Sequence, residues 1–151
     1  MEAIRMFLAY VANKKIKVYH MDVKLAFLNG ELEEEVYIEQ PKGFPQIEDK
    51  DLVCKLNKSL YRLKQALRTW YARLDNYLEK LGFAKGTTDS NLYLKEIENG
   101  FLIIVIFVDD MIFGGNNEES DKFYEEIKSE FEMSMVGEIE AFPRFADCEK
   151  L

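Results

Sequence analysis

Apolar residues at Ile4, Phe7, Leu8 and Val11 recur at i, i+3, i+4 and i+7, so residues 1–12 read as a short amphipathic helix that Asn13-Lys14-Lys15 ends. Ile16 to Met21 is rich in β-branched and aromatic residues and reads as a strand, with Asp22 at its C-terminal end. Asn29-Gly30 is a turn signal, and Glu33 to Glu35 is a charge run on a solvated face. Val36 to Glu39 reads as a short strand, followed by a loop at Pro41, Gly43 and Pro45. The clearest periodicity follows. Leu60, Leu63, Leu67, Trp70, Tyr71, Leu74, Tyr77, Leu78 and Leu81 keep three- and four-residue spacing, predicting one helix that Gly82 stops.

Phe83 to Ser90 reads as a loop, Asn91 to Glu96 as a strand, and Glu98-Asn99-Gly100 as a hairpin turn. Phe101 to Phe113 reads as two strands flanking the Asp109-Asp110 pair. Phe123, Ile127 and Phe131 mark the buried face of an acidic helix over Glu118 to Glu132, and beyond Gly137 the pattern assigns no element. Helices and strands alternate without a regular βαβ period. The fold class is therefore α+β, an antiparallel sheet with helices packed on one face.

With 151 residues the chain is long enough for one domain and a sizeable core. Its 48% apolar and 13% aromatic content excludes a disordered chain. The longest apolar run, Phe101 to Val108, is far short of the roughly 20 residues a membrane-spanning helix needs. No signal peptide is visible at the N-terminus. An intracellular, cytoplasmic setting with reduced Cys54 and Cys148 is expected, with no membrane and no obligate protein partner. The net charge of −8 argues against a nucleic-acid partner, but its distribution does not. Between Leu52 and Leu74 the charged residues are Lys55, Lys58, Arg62, Lys64, Arg68 and Arg73, all cationic, on an otherwise acidic chain.

Candidate chemistry lies in the apolar segment. Two adjacent carboxylates there are costly to bury, so Asp109 and Asp110 either cap a solvent-facing hairpin turn or hold a cation. Asp22 either ends a strand or joins them. Three carboxylates gathered in one place suit Mg²⁺ or Mn²⁺, and paired ions of this kind assist in-line phosphoryl transfer.

Motifs sharpen the choice. Met21 to Gly30 (Met-Asp-Val-Lys-Leu-Ala-Phe-Leu-Asn-Gly), continued by Glu34 to Pro41 and Gly43-Phe44, resembles motif A of copia-type LTR-retrotransposon reverse transcriptases. Val53 to Leu56, Lys58 to Tyr61, Leu63 to Ala66 and Trp70-Tyr71 resemble the family's motif B block. Phe107-Val108-Asp109-Asp110 is similar to motif C, and Phe131 to Glu138 fits the later consensus. The resemblance covers roughly residues 2–139. It implies a reverse transcriptase domain, a polymerase palm with partial fingers and no thumb, over 1–139, and a divergent tail over 140–151.

By the same resemblance, Asp22, Asp109 and Asp110 are the catalytic, metal-binding triad, with Mg²⁺ or Mn²⁺ as cofactor. Phe27 is the steric gate under the sugar of the incoming dNTP, and Gln65 lines the nucleotide pocket. Phe107 and Val108 lie beside the primer end, and Lys64 and Arg68 meet nucleic acid, an RNA or DNA template-primer. Arg62 stands where the family has Gly, and Leu67 where it has Pro; Leu67 favours a continuous helix. The chain begins after the family's triphosphate-gripping segment and departs from its pattern after Glu138. Weak or no activity in isolation is therefore expected. The alternatives are a non-catalytic nucleic-acid-binding or interaction module and a pseudogene product without function.

Replacing Arg62, Lys64 and Arg68 together by Ala is expected to weaken binding to a primer–template and to flatten its dependence on salt. The log–log slope is expected to fall by about one unit for each phosphate that these side chains neutralise. Unchanged affinity across a salt titration would exclude this stretch as the nucleic-acid surface.

Overall fold

The computed structural model describes residues 2–41, 43 and 52–139. The tail 140–151 and most of the loop expected at Pro41 to Pro45 lie outside them. Helix α1 spans Glu2–Lys14, followed by strand β1 (Val18–Val23), a 3₁₀ turn over Ala26–Asn29, β2 (Glu31–Glu39) and β3 (Val53–Lys58). Then come α2 (Ala66–Lys80), β4 (Ala84–Lys85), β5 (Leu92–Ile97), β6 (Gly100–Phe107), β7 (Asp110–Gly115), α3 (Asn117–Glu130) and β8 (Met133–Ile139). The class is α+β. The chain divides into two compact units, one of residues 1–24 and 76–151, the other of residues 25–75.

The first unit is built on a six-stranded antiparallel sheet in the order β4-β5-β6-β7-β1-β8. Side chains alternate between its faces. One face carries Met21, Tyr93, Leu102, Ile104, Ile106, Met111 and Phe113, all at most 2% exposed. On this side Phe123 of α3 meets Phe113 edge-on at 5.2 Å, Phe83 meets Phe123 at 5.3 Å, and Tyr77 meets Phe131 at 5.4 Å. Edge-to-face pairs of this kind contribute about 0.5–1.5 kcal/mol each beyond burial. The other face is covered by α1, whose Phe7 and Val11 form a buried cluster with Val18 and Val105, joined by Ile103 and Ile112.

The helices thus lie on both faces of the sheet, which corrects the one-face expectation. The cause is present in the sequence. Phe101 to Val108 is apolar at consecutive positions, the pattern of a strand buried on both sides, not of one with a wet face.

In the second unit, β2 and β3 form a two-stranded antiparallel ladder. The charge run Glu33 to Glu35 is solvated as expected, but it lies inside β2, which begins at Glu31. Strands β3, β4 and β8 have no counterpart among the elements the hydrophobic pattern predicts. The helix expected from Leu60 begins only at Ala66, because residues before it form turns. Its buried line is Ala66, Trp70, Leu74 and Leu78, a strict i+4 row, whereas Leu67 is 45% exposed. Gly82, at φ +86°, ends it as expected: Phe83 N–H bonds the Leu78 carbonyl and Gly82 N–H the Glu79 carbonyl, a Schellman cap.

The turn at Asn29-Gly30 is held by polar contacts within this unit. Ser59, fully buried, donates from Oγ to the Phe27 carbonyl and from N–H to the Gly30 carbonyl. Thr69 Oγ1 donates to Ser59 Oγ at 3.3 Å, and Arg73 donates to the Asn29 carbonyl at 2.8 Å. A Cβ on Gly30 would lie 2.4 Å from Thr69 Oγ1 and 3.0 Å from the Thr69 backbone. Gly30→Ala is therefore expected to lower stability by about 1–3 kcal/mol in urea unfolding, the usual result of overpacking. A midpoint equal to that of the unsubstituted chain would contradict this packing.

Candidate active site

Strand β1 and strand β7 run antiparallel with Val18 opposite Gly114, His20 opposite Ile112, Met21 opposite Met111 and Asp22 opposite Asp110. Asp22 is therefore inside the strand, not beyond its end, and shares a face with Asp110. Strand β6 feeds β7 through a two-residue turn, Val108-Asp109, closed by the Phe107–Asp110 pair. The Asp-Asp pair is split: Asp109 sits in the turn and Asp110 opens the strand. The turn is tied to β1, since Val23 N–H bonds the Asp109 carbonyl at 2.9 Å. The backbone thus brings all three aspartates to one end of the central strands.

Asp22, Asp110, His20 and Phe107 lie on the same face as the α1 cluster, but at its uncovered end. Phe107 is 52% exposed, and the three polar residues are partly exposed. Directly opposed carboxylates repel. The solvated end of the sheet is where such a pair is tolerated. Asp110 has a second neighbour: His20 Nε2 lies 2.7 Å from Asp110 Oδ1. A carboxylate only accepts, so Nε2 carries the proton. Among the described residues no three His, Cys, Asp or Glu side chains are gathered as a metal-ligand set.

His20 is the neighbour that sequence reading missed. Its signal is the two-residue alternation of a strand, which puts position 20 on the face of position 22 once both belong to β1. Val108 has φ +61°, while Asp109 does not share the positive φ. This is the pattern of a type II′ hairpin turn, whose first position favours glycine. A β-branched residue there stores strain of about 1–3 kcal/mol.

Phe27, Lys64, Gln65 and Arg68 belong to the second unit. Phe27 packs edge-on against Tyr61 at 4.7 Å. Gln65 Nε2 donates to Glu34 Oε2 at 3.4 Å. Lys64 and Arg68 are exposed, as are Lys58 and Arg62. The other cations of the basic stretch have protein partners: Lys55 pairs with Glu35, and Arg73 bonds the Asn29 carbonyl. The Lys55 ammonium, with the Tyr37 hydroxyl, holds the Glu35 carboxyl below its usual range.

The two departures from motif B now have local meanings. Leu63 N–H bonds the Leu60 carbonyl at 3.2 Å, and Arg62 has φ +75°. That is a type II turn with Arg at the position that calls for Gly. Leu67 is in the first turn of α2, where Pro is also tolerated, so continuity of the helix does not depend on it.

Comparison with known proteins follows the same residues. Residues 1–145 match the family described as reverse transcriptase (RNA-dependent DNA polymerase). The chain is 42% identical over 139 residues to the Retrovirus-related Pol polyprotein from transposon TNT 1-94 of Nicotiana tabacum, covering 91% of this chain and 10% of the relative. It is 37% identical over 115 residues to the Retrovirus-related Pol polyprotein from transposon RE1 of Arabidopsis thaliana, covering 76% and 8%. It is 28% identical over 135 residues to the Transposon Ty1-MR1 Gag-Pol polyprotein of Saccharomyces cerevisiae, covering 89% and 7%. The chain thus spans about a tenth or less of the length of these relatives. No solved structure matches it.

Because Arg62 occupies a left-handed turn position, Arg62→Gly is expected to raise stability by about 0.5–1 kcal/mol, the relief of the Cβ clash less the added freedom of the unfolded chain. Thermal unfolding of the two proteins side by side measures this. A lower midpoint for the variant would show that the Arg62 side chain contributes more than its backbone conformation costs.

Proposed function

The chain belongs to the reverse transcriptase (RNA-dependent DNA polymerase) family, and from that premise we propose that it is the nucleotidyl-transfer segment of a retrotransposon Pol polyprotein. In this reading the six-stranded unit is the palm and the residue 25–75 unit is part of the fingers. The reading rests above all on one observation: Asp22 and Asp110 are register partners on the open end of a sheet face, with Asp109 in the adjoining turn. Opposed carboxylates of this kind suit a hard divalent cation in donor chemistry and in charge. Asp22, Asp109 and Asp110 would hold Mg²⁺ or Mn²⁺, which supplies charge neutralisation at the attacking and leaving oxygens of phosphoryl transfer.

The chain's own residues have separate tasks. The substrates would be a dNTP and a template-primer, and the reaction the attack of the primer 3′-hydroxyl on the α-phosphorus with release of pyrophosphate. Phe107, half exposed on the face of Asp110, would support the primer end beside the Val108 turn. Phe27, held by Tyr61, would bear on the sugar, and its fixed ring would disfavour a 2′-hydroxyl. Gln65 would line the nucleotide pocket, exchanging its bond to Glu34 for one to the nucleotide. Lys64 and Arg68, exposed on the second unit, would neutralise phosphates. These exposed cations also favour a second reading, a nucleic-acid-binding module without catalysis, which keeps template-primer affinity but not metal-dependent chemistry.

Two measurements separate these readings. Calorimetric titration with Mg²⁺ or Mn²⁺, in the presence of dNTP and primer–template, should show binding that Asp109→Asn with Asp110→Asn abolishes. Primer extension should fall by at least about 100-fold in Asp109→Asn, roughly 2.7 kcal/mol of transition-state stabilisation, while the thermal midpoint stays close to that of the unsubstituted chain. Metal binding or extension that survives these substitutions would remove the aspartates from the chemistry. Template-primer binding with neither metal binding nor extension in either protein would favour the second reading.

A further inference from the structure

The backbone brings three carboxylates to one end of β1 and β7, yet among the described residues no three acidic or histidine side chains form a ligand set. At that end His20 Nε2–H bonds Asp110 Oδ1 at 2.7 Å. His20 is two residues before Asp22 on β1, so it stands diagonally across from Asp110, on the side away from the turn that holds Asp109. The bond is partly shielded: the His20 side chain is 28% exposed and that of Asp110 46%. It is also anchored, because Ile112, the register partner of His20, packs against the α1 cluster.

We infer that His20 is a positioning residue that acts through Asp110. It latches that carboxylate out of the metal cluster, so that closing the cluster on a divalent cation requires this hydrogen bond to break. The inference rests on the proposed metal-binding role of the three aspartates. It goes beyond that role in assigning a fourth residue, opposite in effect to the ligands: removing a ligand weakens metal binding, whereas removing the latch strengthens it. The latch also relieves the metal-free state. Two opposed carboxylates repel, and the bond to His20 turns one of them aside until a cation arrives to offset the repulsion.

Mg²⁺ titrations of the full chain test this, with His20→Ala, His20→Gln and Asp22→Asn alongside and circular dichroism confirming that each variant folds. His20→Ala is expected to bind Mg²⁺ about two- to tenfold more tightly, the range one partly exposed hydrogen bond commands. His20→Gln, whose amide can still donate to Asp110, is expected to return to within about twofold of the unsubstituted chain, by the same hydrogen-bond range. A purely structural role for His20 would not produce tightening followed by rescue.

A second readout needs no substitution. The chain has one histidine, so its imidazole ¹⁵N resonances are unambiguous, and Mg²⁺ should shift the Nε2 signal as the bond to Asp110 is released. Weaker or unchanged Mg²⁺ affinity in His20→Ala, or an Nε2 signal indifferent to Mg²⁺, overturns the latch. If Asp22→Asn abolishes Mg²⁺ binding in the same series, the metal site stands and only the latch falls. If neither the unsubstituted chain nor His20→Ala binds Mg²⁺, even with dNTP and primer–template, the metal site fails and the latch with it.

Discussion

The register between β1 and β7 is the constraint on which the site depends. A strand shifted by one residue against its neighbour sends every side chain to the other face. Here such a slip would move Asp22 and His20 to the side where Met21, Met111 and Phe113 are fully buried, and charges would enter a packed aromatic core. The hydrophobic set on that side therefore fixes where the polar set stands. Asp22 faces Asp110 because Met21 must face Met111. The polar end of the sheet is held in place by apolar residues on the opposite face, and the Val23–Asp109 hydrogen bond carries the same register into the turn.

Covering both faces of the sheet serves this arrangement. Helix α3 and the Phe83, Phe123 and Phe131 rings seal one side. Helix α1 seals the other only around Val18, Val105 and Ile112. The end it leaves uncovered is where the two strands carry carboxylates. A strand buried on both sides along most of its length and solvated at one end gives a rigid platform with a polar tip. In the second unit a polar device holds the turn at Phe27 to Gly30: Ser59 and Arg73 bond its backbone, and Thr69 donates to Ser59 Oγ.

Much of this is legible in the sequence, for physical reasons that differ by element. The α1 stripe, the β5–β6 hairpin, the Gly82 stop and α3 all follow from local periodicity and turn chemistry, and local rules suffice for them. The aspartates stand out because Asp109 and Asp110 interrupt an apolar run, and Asp22 because the surrounding motif resembles that of reverse transcriptases. What the sequence hides depends on partners distant in the chain. Strand β3 is exposed on most of its positions and its alternation is short, Cys54 and Leu56 standing half-buried between exposed neighbours; it pairs with β2. Strand β8 is an edge strand with Met135 and Val136 partly or largely exposed. His20 is hidden because the apolar, β-branched pattern stops at Met21, which leaves Asp22 outside the alternation that joins them. Arg62 lies within the span that the periodicity assigns to the helix, yet its φ of +75° belongs to the turn before it.

Val108 carries a consequence for how such a chain changes over generations. Its left-handed backbone opposes a β-branched side chain, so mutation toward glycine at this position relaxes the fold. Every valine codon lies one base change from a glycine codon, so the relaxing variant is always within reach of drift. A lineage retained for its stability alone is favoured to move down that slope.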